Sequence, residues 1–291
     1  MIDSAPFDDR TGVIWYNGKL VPWRDAKVHV LNHGLHYASS VFEGERVYNG
    51  KIFKLTEHTE RLKKSAETLG FEIPYSVDEI NNFTKEVIKQ QGIKDGYVRP
   101  VSWLGSEHMK IYKKGNSVHL AIAAWEWPAY FSEESYKTGI NICWSDWKRP
   151  APDTAPTSAK AAGLYMICTI TKRKAEESGY DDAMMLDYRG YIAEATGANF
   201  FMVLNNEIHT PIADCFLDGI TRRTVIGLAK ELGYKVIERR IKPLDLHDAT
   251  EAFLTGTAAE ITPIGTIGEY KFIPGEVTEK IKNAYHKLVR G

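Results

Sequence analysis

Residues 154–173 read TAPTSAKAAGLYMICTITKR, and a single lysine near the middle, Lys160, sets this stretch apart. The segment begins as a proline-containing loop and continues as a predicted helix, with Lys160 at the junction. An ordinary helical lysine keeps its charge in water. The residues around this one are all small: Ala159, Ala161, Ala162 and Gly163. They leave room for a ligand carbonyl, and partial burial would lower the pKa of the amine and make it a nucleophile.

The composition is that of a globular protein with ample material for a core. Of 291 residues, 43% are hydrophobic and 26% are charged, with a formal net charge of -1. This length predicts two domains or one large one, and the near-zero charge gives no electrostatic reason to bind nucleic acid or an anionic membrane. Three separated cysteines and an N-terminus without a signal-peptide pattern favour a reducing, cytoplasmic setting. No apolar run reaches the length of a membrane span.

Local patterns predict strands and helices in both halves of the chain. VIWYNGKLVPW and RVYNGKIFKL each place Asn-Gly between apolar runs, which predicts two hairpins. Thr56 and the SVDE stretch at residues 76–79 are expected to begin helices, and YVRPVSWLG and SVHLAIAAWEW are expected to be strands. Strands and helices then alternate without a strict rhythm, which favours an α+β fold of two domains. We place the domains at residues 1–130 and 140–291, joined by a linker at 131–139 that has turn composition.

Several common motifs are absent, and one metal-like pattern is weak. The chain has no GxSxG, P-loop, GxGxxG or HExxH sequence, which removes the usual hydrolase, NTPase, dinucleotide and zinc-protease hypotheses. His29, His33 and His36 could share one helical face. Gly34 interrupts that helix, and no acidic residue stands at ligand spacing. We therefore predict no metal site.

Three further stretches supply chemistry that suits Lys160. FLDGITRR puts Asp218-Gly219 before a predicted helix, whose free N-terminal amides can bind phosphate. LTGTAAEITP joins small residues after a strand, so its amides can approach an anion closely. YIAEATGANFFMV places Glu194 between apolar strands, where a carboxylate needs a cationic partner. A plain turn, a tight loop and a strand-end residue are the ordinary alternatives. Together with a lysine, these are the parts that hold pyridoxal phosphate.

These stretches resemble the class IV, fold-type-IV pyridoxal-phosphate transaminases, and within them the branched-chain amino acid aminotransferases. TSAKAAGLY, GYIAEATGANFF, DGITR and GTAAEITPI occur in the family's order and spacing, while HYASSVFEG and YVRP point to the branched-chain subgroup. The resemblance covers nearly the whole chain. It implies a small α/β N-terminal domain, a larger C-terminal domain built on a pseudo-barrel, and pyridoxal 5'-phosphate as the cofactor.

The resemblance also implies roles for individual residues. Lys160 corresponds to the catalytic lysine that binds the cofactor covalently, and Glu194 to the partner of its ring nitrogen. The implied cofactor contacts are Arg61, Lys160, Tyr165, Glu194, Leu217, Ile220, Thr221 and Thr257. The implied substrate contacts are Tyr37, Phe42, Tyr97, Arg99, Met109, Trp127, Tyr130, Thr257 and Ala258. Without the resemblance, each aromatic in these sets would be read as core.

The implied reaction transfers the amino group of leucine, isoleucine or valine to 2-oxoglutarate. The implied assembly is a homodimer or an assembly of dimers. D-amino acid aminotransferases, (R)-amine transaminases and aminodeoxychorismate lyases share the cofactor parts and remain alternatives, as does a catalytically silent binding module. Ala162 and Leu164 depart from the family pattern, and so does the basic loop after Met109. These departures affect the expected substrate preference more than the expected cofactor.

Overall fold

A computed structural model describes residues 6–127 and 133–291. Within these ranges the chain forms two compact units. The first contains residues 6–127 together with Ala159–Gly163, and the second contains residues 133–158 and Leu164–Gly291. Both units combine helices with sheets, so the α+β prediction is confirmed. No helix among the described residues is long and apolar enough to cross a membrane.

The first unit is built on a seven-stranded antiparallel sheet packed against helices. Its strands are β1 (Val13–Tyr16), β2 (Lys19–Pro22), β3 (Ser40–Phe42), β4 (Glu45–Tyr48), β5 (Lys51–Ile52), β6 (Gly96–Leu104) and β7 (Val118–Glu126). Its helices are α1 (His33–Tyr37), α2 (Leu55–Thr68) and α3 (Val77–Gln91), with a 3-10 turn at Trp23–Asp25. The strand order is β2-β1-β7-β6-β4-β5, and β3 pairs with β6. Fully buried residues join the sheet to α2 and α3: Val47, Leu62, Ile80, Val87, Val98 and Ile122.

Most local predictions for this unit are confirmed. Asn17 and Gly18 have φ of 47° and 96°, and Asn49 and Gly50 have φ of 49° and 76°. Positive φ at both turn residues matches the right-handed twist of the flanking strands, as in type I′ hairpins. A capping box begins α3, in which Ser76 and Glu79 satisfy each other's backbone N–H groups. The prediction for α2 is wrong in detail.

Helix α2 begins at Leu55, one residue before Thr56. Lys54 is its N-cap, in the left-handed conformation and without a side-chain cap. The Thr56 hydroxyl instead accepts a hydrogen bond from Asn81 Nδ2 at 3.1 Å. The threonine therefore ties α2 to α3 and does not start the helix.

The second unit contains a closed sheet. Its strands are β8 (Ile140–Trp144), β9 (Asp182–Leu186), β10 (Ile192–Ala195), β11 (Asn199–Leu204), β12 (Glu207–Pro211), β13 (Val236–Arg239), β14 (Glu251–Gly256), β15 (Glu260–Ile267) and β16 (Tyr270–Lys271). The order β10-β9-β8-β15-β14-β11 returns to its start because β10 also pairs with β11. This ring is the pseudo-barrel that the resemblance implies. Its apolar interior includes Ile142, Met184, Phe200, Leu254 and Ile264.

Helices and a 3-10 segment complete the described part of the second unit. The helices are α4 (Glu133–Thr138), α5 (Tyr165–Glu177), α6 (Ile220–Glu231) and α7 (Glu276–Arg290), and the 3-10 segment is Pro243–Asp248. Helix α4 lies inside the stretch 131–139, where the composition predicted only a linker. The division at residues 1–130 and 140–291 stays a prediction.

The chain around Lys160 does not form the predicted helix start. Lys160 precedes a 3-10 turn at Ala162–Leu164, and α5 begins only at Tyr165. The Phe42 N–H donates to the Lys160 carbonyl at 3.1 Å, and the Lys160 N–H donates to Ser65 Oγ at 2.9 Å. Ala161 forms an antiparallel bridge with Val41. Pairing with β3, distant in sequence, thus overrides the local tendency to form a helix.

Candidate active site

The Lys160 amine lies in a partly buried, charged environment within the first unit. Its Nζ stands 4.8 Å from the centroid of the Phe42 ring. Burial lowers the pKa of this amine to about 8, with Glu43 acting against that shift and Arg61 adding to it. A fraction of the amine is therefore unprotonated near neutral pH, which is the form that attacks a carbonyl.

A buried carboxylate, Glu43, organises the charges next to this lysine. Arg61 donates to it from Nε at 2.6 Å and from Nη2 at 2.9 Å, and His58 Nδ1 lies 2.7 Å from Glu43 Oε2. Burial alone would raise the pKa of Glu43, but Arg61 and His58 outweigh it and hold that pKa well below its usual value. Burial lowers the pKa of His58 despite the carboxylate beside it. Glu43 is therefore an ionised group that fixes Arg61, the expected phosphate ligand.

Sequence reasoning missed both Glu43 and a second buried acid, Glu45. Both side chains are fully buried, and neither Glu45 oxygen has a hydrogen-bond partner in the described part of the chain. Burial, followed by repulsion from Glu43, raises the pKa of Glu45 well above its usual value. The signal that could have revealed them is two acids on either side of Gly44 in VFEGERVY, flanked by apolar residues at both ends of the stretch.

The expected substrate residues of strand β6 lie on one face, as strand alternation predicts. Arg99 Nη2 donates to the Tyr97 hydroxyl at 3.3 Å. The Arg99 guanidinium stands 4.9 Å from the Phe42 ring centroid, and the Tyr97 and Trp127 ring centroids are 5.3 Å apart. The structure therefore brings Phe42, Tyr97, Arg99 and Trp127 together with Lys160.

Two other expected substrate residues form a contact of their own. Tyr37 is 44% exposed on α1, and its hydroxyl donates to the Met109 carbonyl at 3.0 Å. Nearby, the rings of His33 and His36 are each hydrogen-bonded to the backbone, at Lys110 and Val30. Tyr130, the remaining expected substrate residue, lies outside the described residues.

In the second unit, Glu194 is buried on β10, where Arg149 and Asn199 are among its partners. Arg149 Nε lies 3.4 Å from Glu194 Oε1, and Asn199 Nδ2 donates to Glu194 Oε2 at 3.0 Å. Burial acts against the Arg149 charge, but the Glu194 carboxylate outweighs it and raises the pKa of Arg149. A buried carboxylate between apolar strands predicts a cationic partner, but the sequence pattern does not identify Arg149 because it is distant along the chain. Cys168, one turn after Tyr165 on α5, accepts a hydrogen bond from Arg149 Nη1 at 3.3 Å.

Helix α6 presents free amides where the phosphate is expected. Ile220 and Thr221 are its first two residues, its N-cap is Gly219, and it has neither a side-chain cap nor an acidic residue in its first turn. Asp218 precedes it, but Arg222 Nη1 donates to that carboxylate at 2.8 Å and offsets its charge. An anion at this terminus gains from both the amides and the helix dipole.

The remaining expected residues of this unit lie beside these elements. Thr257 and Ala258 form the turn between β14 and β15. Leu217 is half-buried, and its carbonyl accepts a hydrogen bond from Asn199 Nδ2 at 3.0 Å. The Thr255 hydroxyl, directly opposite Asn199 in the sheet, is buried and has no hydrogen-bond partner among the described residues. Such a group points to a ligand that the fold is built to receive. The expected cofactor therefore fits the residues present.

Comparison with known proteins agrees with this chemistry. The family described as "Amino-transferase class IV" matches residues 40–267 of this chain.

The chain belongs to the class IV aminotransferases.

This class IV aminotransferase has full-length relatives. It is 47% identical to a "Probable branched-chain-amino-acid aminotransferase" of Rickettsia felis over 95% of this chain and 96% of the relative. It is 44% identical to the "Branched-chain-amino-acid aminotransferase" of Pseudomonas aeruginosa over 97% of this chain and 94% of the relative.

The class IV aminotransferase also resembles solved structures along its length. A T.th. branched-chain amino acid aminotransferase with pyridoxamine 5'-phosphate matches with a TM-score of 0.93 and 38% identity, covering 97% of this chain and 95% of that one. Structures of that enzyme with N-(5'-phosphopyridoxyl)-L-glutamate and with 4-methylvaleric acid match with TM-scores of 0.91 and 0.92, both at 37% identity. The match to the first complex covers 96% of this chain and 94% of that one, and the match to the second covers 97% of this chain and 95% of that one.

Proposed function

We propose that this chain is a pyridoxal-phosphate-dependent transaminase that exchanges amino groups between branched-chain L-amino acids and 2-oxoglutarate. The observation that carries the proposal is the Lys160 amine, whose pKa is lowered to about 8 beside the Glu43–Arg61 pair. The names of the relatives support leucine, isoleucine and valine as donors. The glutamate adduct and the branched acid bound by the T.th. enzyme support a pocket that accepts both acidic and aliphatic side chains.

Pyridoxal phosphate supplies an aldehyde that condenses with amines and a ring that withdraws electrons from the substrate's Cα. Lys160 is the amine that attaches to this aldehyde. With the cofactor bound, the free Lys160 amine would be the base that takes the α-proton from the substrate and the acid that returns it. A pKa near 8 suits both tasks, because the amine can accept and release a proton close to neutral pH.

Glu194 would hold a proton at the ring nitrogen of the bound cofactor. A protonated ring is the stronger electron acceptor, so this contact favours loss of the α-proton. Arg149 compensates the buried carboxylate charge and lets Glu194 remain an acceptor. We assign the phosphate to Arg61, to the α6 amides at Ile220 and Thr221, and to the Thr257 hydroxyl.

Substrate binding is assigned to the residues on the β6 face and the β14–β15 turn. Thr257 and Ala258 present donors to the α-carboxylate, with help from Tyr97. Arg99 pairs with the γ-carboxylate of glutamate, and Leu, Ile or Val side chains lie against Phe42, Trp127 and Tyr130. Tyr165 would hydrogen-bond the cofactor's phenolic oxygen, and Leu217 would pack on its ring. We assign Tyr37 and Met109 to the rim of the side-chain pocket.

We further propose a homodimer or an assembly of dimers in the cytoplasm. The resemblance to the family supports the dimer, and three free cysteines, Cys143, Cys168 and Cys215, support a reducing setting. Light scattering of the purified protein tests the assembly. A monomer that is fully active would contradict it.

Amino-donor profiling tests the proposed reaction. The purified protein, loaded with pyridoxal phosphate, is mixed with 2-oxoglutarate and a panel of L- and D-amino acids and (R)-amines. We expect glutamate to form with L-leucine, L-isoleucine and L-valine, and the cofactor's absorption band to shift when leucine is added. Turnover with D-amino acids or (R)-amines alone would assign a different transaminase. A bound cofactor whose spectrum does not respond to any donor would indicate a binding module.

A further inference from the structure

Asn199 occupies an unusual position in the barrel of the second unit. It is the first residue of β11, buried, and directly opposite Glu194 on β10 and Thr255 on β14. Side chains directly opposite each other in a sheet project from the same face. Phe200 and Leu254, the next residue and the preceding residue on these strands, belong to the apolar interior, so the three polar side chains stand side by side on the opposite face of the sheet. Such a group is costly unless its members are hydrogen-bonded.

The Asn199 amide connects three parts of the proposed cofactor site. Its Nδ2 atom carries two N–H groups, and it donates to Glu194 Oε2 and to the Leu217 carbonyl, each at 3.0 Å. Its Oδ1 atom packs against Gly219, where an added Cβ would lie only 2.2 Å away. Gly219 has φ of -65°, which any residue adopts, so glycine is required there for space. The amide therefore links the carboxylate of Glu194, the backbone of Leu217 and the N-cap of α6.

We infer that Asn199 is a positioning residue, which aims the Glu194 carboxylate at the cofactor's ring nitrogen and holds that carboxylate in register with Leu217 and the start of α6. This inference rests on the proposed function. Arg149 approaches one Glu194 oxygen and Asn199 the other, so the plane of the carboxylate is fixed from both sides. Each carboxylate oxygen can accept more than one hydrogen bond, so the contacts with Arg149 and Asn199 do not prevent Glu194 from accepting a ring N–H as well.

An amide suits this position better than a charged group. A second cation beside Glu194 would weaken its interaction with the ring N–H, and a second carboxylate would repel it. An amide donates without adding charge. Asn199 thus supplies geometry, whereas Arg149 supplies the opposite charge.

The test uses N199A and N199L, both loaded with pyridoxal phosphate labelled with 15N at the ring nitrogen. Leucine has nearly the shape of asparagine without its donors, so N199L preserves packing where alanine would not. The matched control is T210V, which removes the 2.8 Å hydrogen bond from Thr210 Oγ1 to the Phe200 carbonyl on the same strand as Asn199. That bond has no connection to Glu194.

We expect the ring nitrogen to lose its proton about one to two pH units lower in N199A and N199L than in wild type, as removal of one hydrogen bond to a charged group implies. We also expect weaker cofactor binding and a kcat about 10- to 100-fold lower. T210V should lose thermal stability and keep the wild-type nitrogen titration. A wild-type titration in both Asn199 variants would overturn the inference. A wild-type protein that neither loads the cofactor nor transaminates would instead overturn the proposed function.

Discussion

Arg61 is held by Glu43 through two parallel hydrogen bonds, at 2.6 and 2.9 Å. A paired arginine of this kind is pre-oriented, and the carboxylate that orients it is shielded from solvent. The expected phosphate ligand is therefore not a mobile surface cation. Its position depends on an acid 18 residues away in the sequence.

Glu43→Gln should weaken cofactor binding and destabilise the fold by about 3–5 kcal/mol at neutral pH, because it removes the carboxylate that accepts both hydrogen bonds from the mostly buried Arg61. The folded pKa of Glu43 lies below its unfolded value, so its contribution is present above about pH 4.3 and is lost as the pH falls through the folded pKa. Urea unfolding of both proteins at several pH values measures the difference in their free energies of unfolding. The gap between variant and wild type should narrow in acid, and a gap that is constant with pH would contradict the ionised state of Glu43.

Glu45→Gln should show the opposite pH dependence. The pKa of Glu45 is higher in the folded state than in the unfolded state. Burial of this acid therefore costs the wild type no stability from ionisation below about pH 4.3, and its stability falls as the pH rises toward the folded pKa. The variant has no such penalty. Its free energy of unfolding should therefore rise relative to that of wild type by up to about 1.4 kcal/mol per pH unit. The exposed Glu86→Gln change is the control and should leave the slope unaltered. Equal slopes for all three proteins would show that Glu45 is not buried as a neutral acid.

Lys160→Ala should abolish transamination while the phosphate contacts still retain some cofactor. The covalent attachment and the proton transfer both need this amine, whereas the anion site does not. In the wild-type apoprotein, acylation of Lys160 should rise with pH to a midpoint near 8, and mass spectrometry of the modified peptide measures it. Borohydride reduction of the loaded enzyme should label the same peptide. Labelling of another lysine, or normal turnover by the variant, would show that the assignment is wrong.

Glu194→Gln should keep the fold and much of the cofactor but lose several orders of magnitude in rate. A neutral amide cannot keep the ring nitrogen protonated, so the ring accepts electrons less well. Single-turnover kinetics with leucine, compared with thermal unfolding of both proteins, separates rate from stability. A loss of only a few fold would make Glu194 an ordinary polar residue of β10.

Arg99→Ala should impair the half-reaction with glutamate or 2-oxoglutarate by about ten- to a hundredfold, the value of a charge-assisted hydrogen bond. Leucine makes no use of that charge and should be affected much less. The two half-reactions, measured in single turnovers, act as each other's control. If both suffer equally, Arg99 has an architectural or α-carboxylate role.

Features set by neighbouring residues could be predicted from the sequence, and those set by distant pairing could not. The hairpin at Asn17-Gly18 and the capping box at Ser76 depend on two to four consecutive residues, and both were found. The predicted helix start at Lys160 is wrong because the backbone of this segment pairs with β3, which lies more than a hundred residues earlier in the chain. Helix α4 could not be predicted because its six residues are too few to show a helical pattern of apolar residues.

The same distinction applies to the candidate site. Lys160 and Glu194 could be singled out because a lysine among small residues and an acid between apolar strands are visible locally. Arg149 lies far from Glu194 along the chain, and the hydrogen bonds of Asn199 need β10, β11 and the segment before α6 to be assembled. Glu43 and Glu45 do carry a local signal, because the two acids flank a single glycine in VFEGERVY.

The assignment of Ala159–Gly163 to the first unit has a consequence for biosynthesis. A ribosome finishes residues 6–127 before it reaches Lys160, so the nascent first unit lacks the segment whose Ala161 bridges Val41. At about 5–20 residues per second, roughly 30 further residues take a few seconds to translate. During that interval the buried acids and Arg61 can fold without the reactive amine. If the first unit folds in that interval, the lysine would enter a pocket whose charges are already arranged.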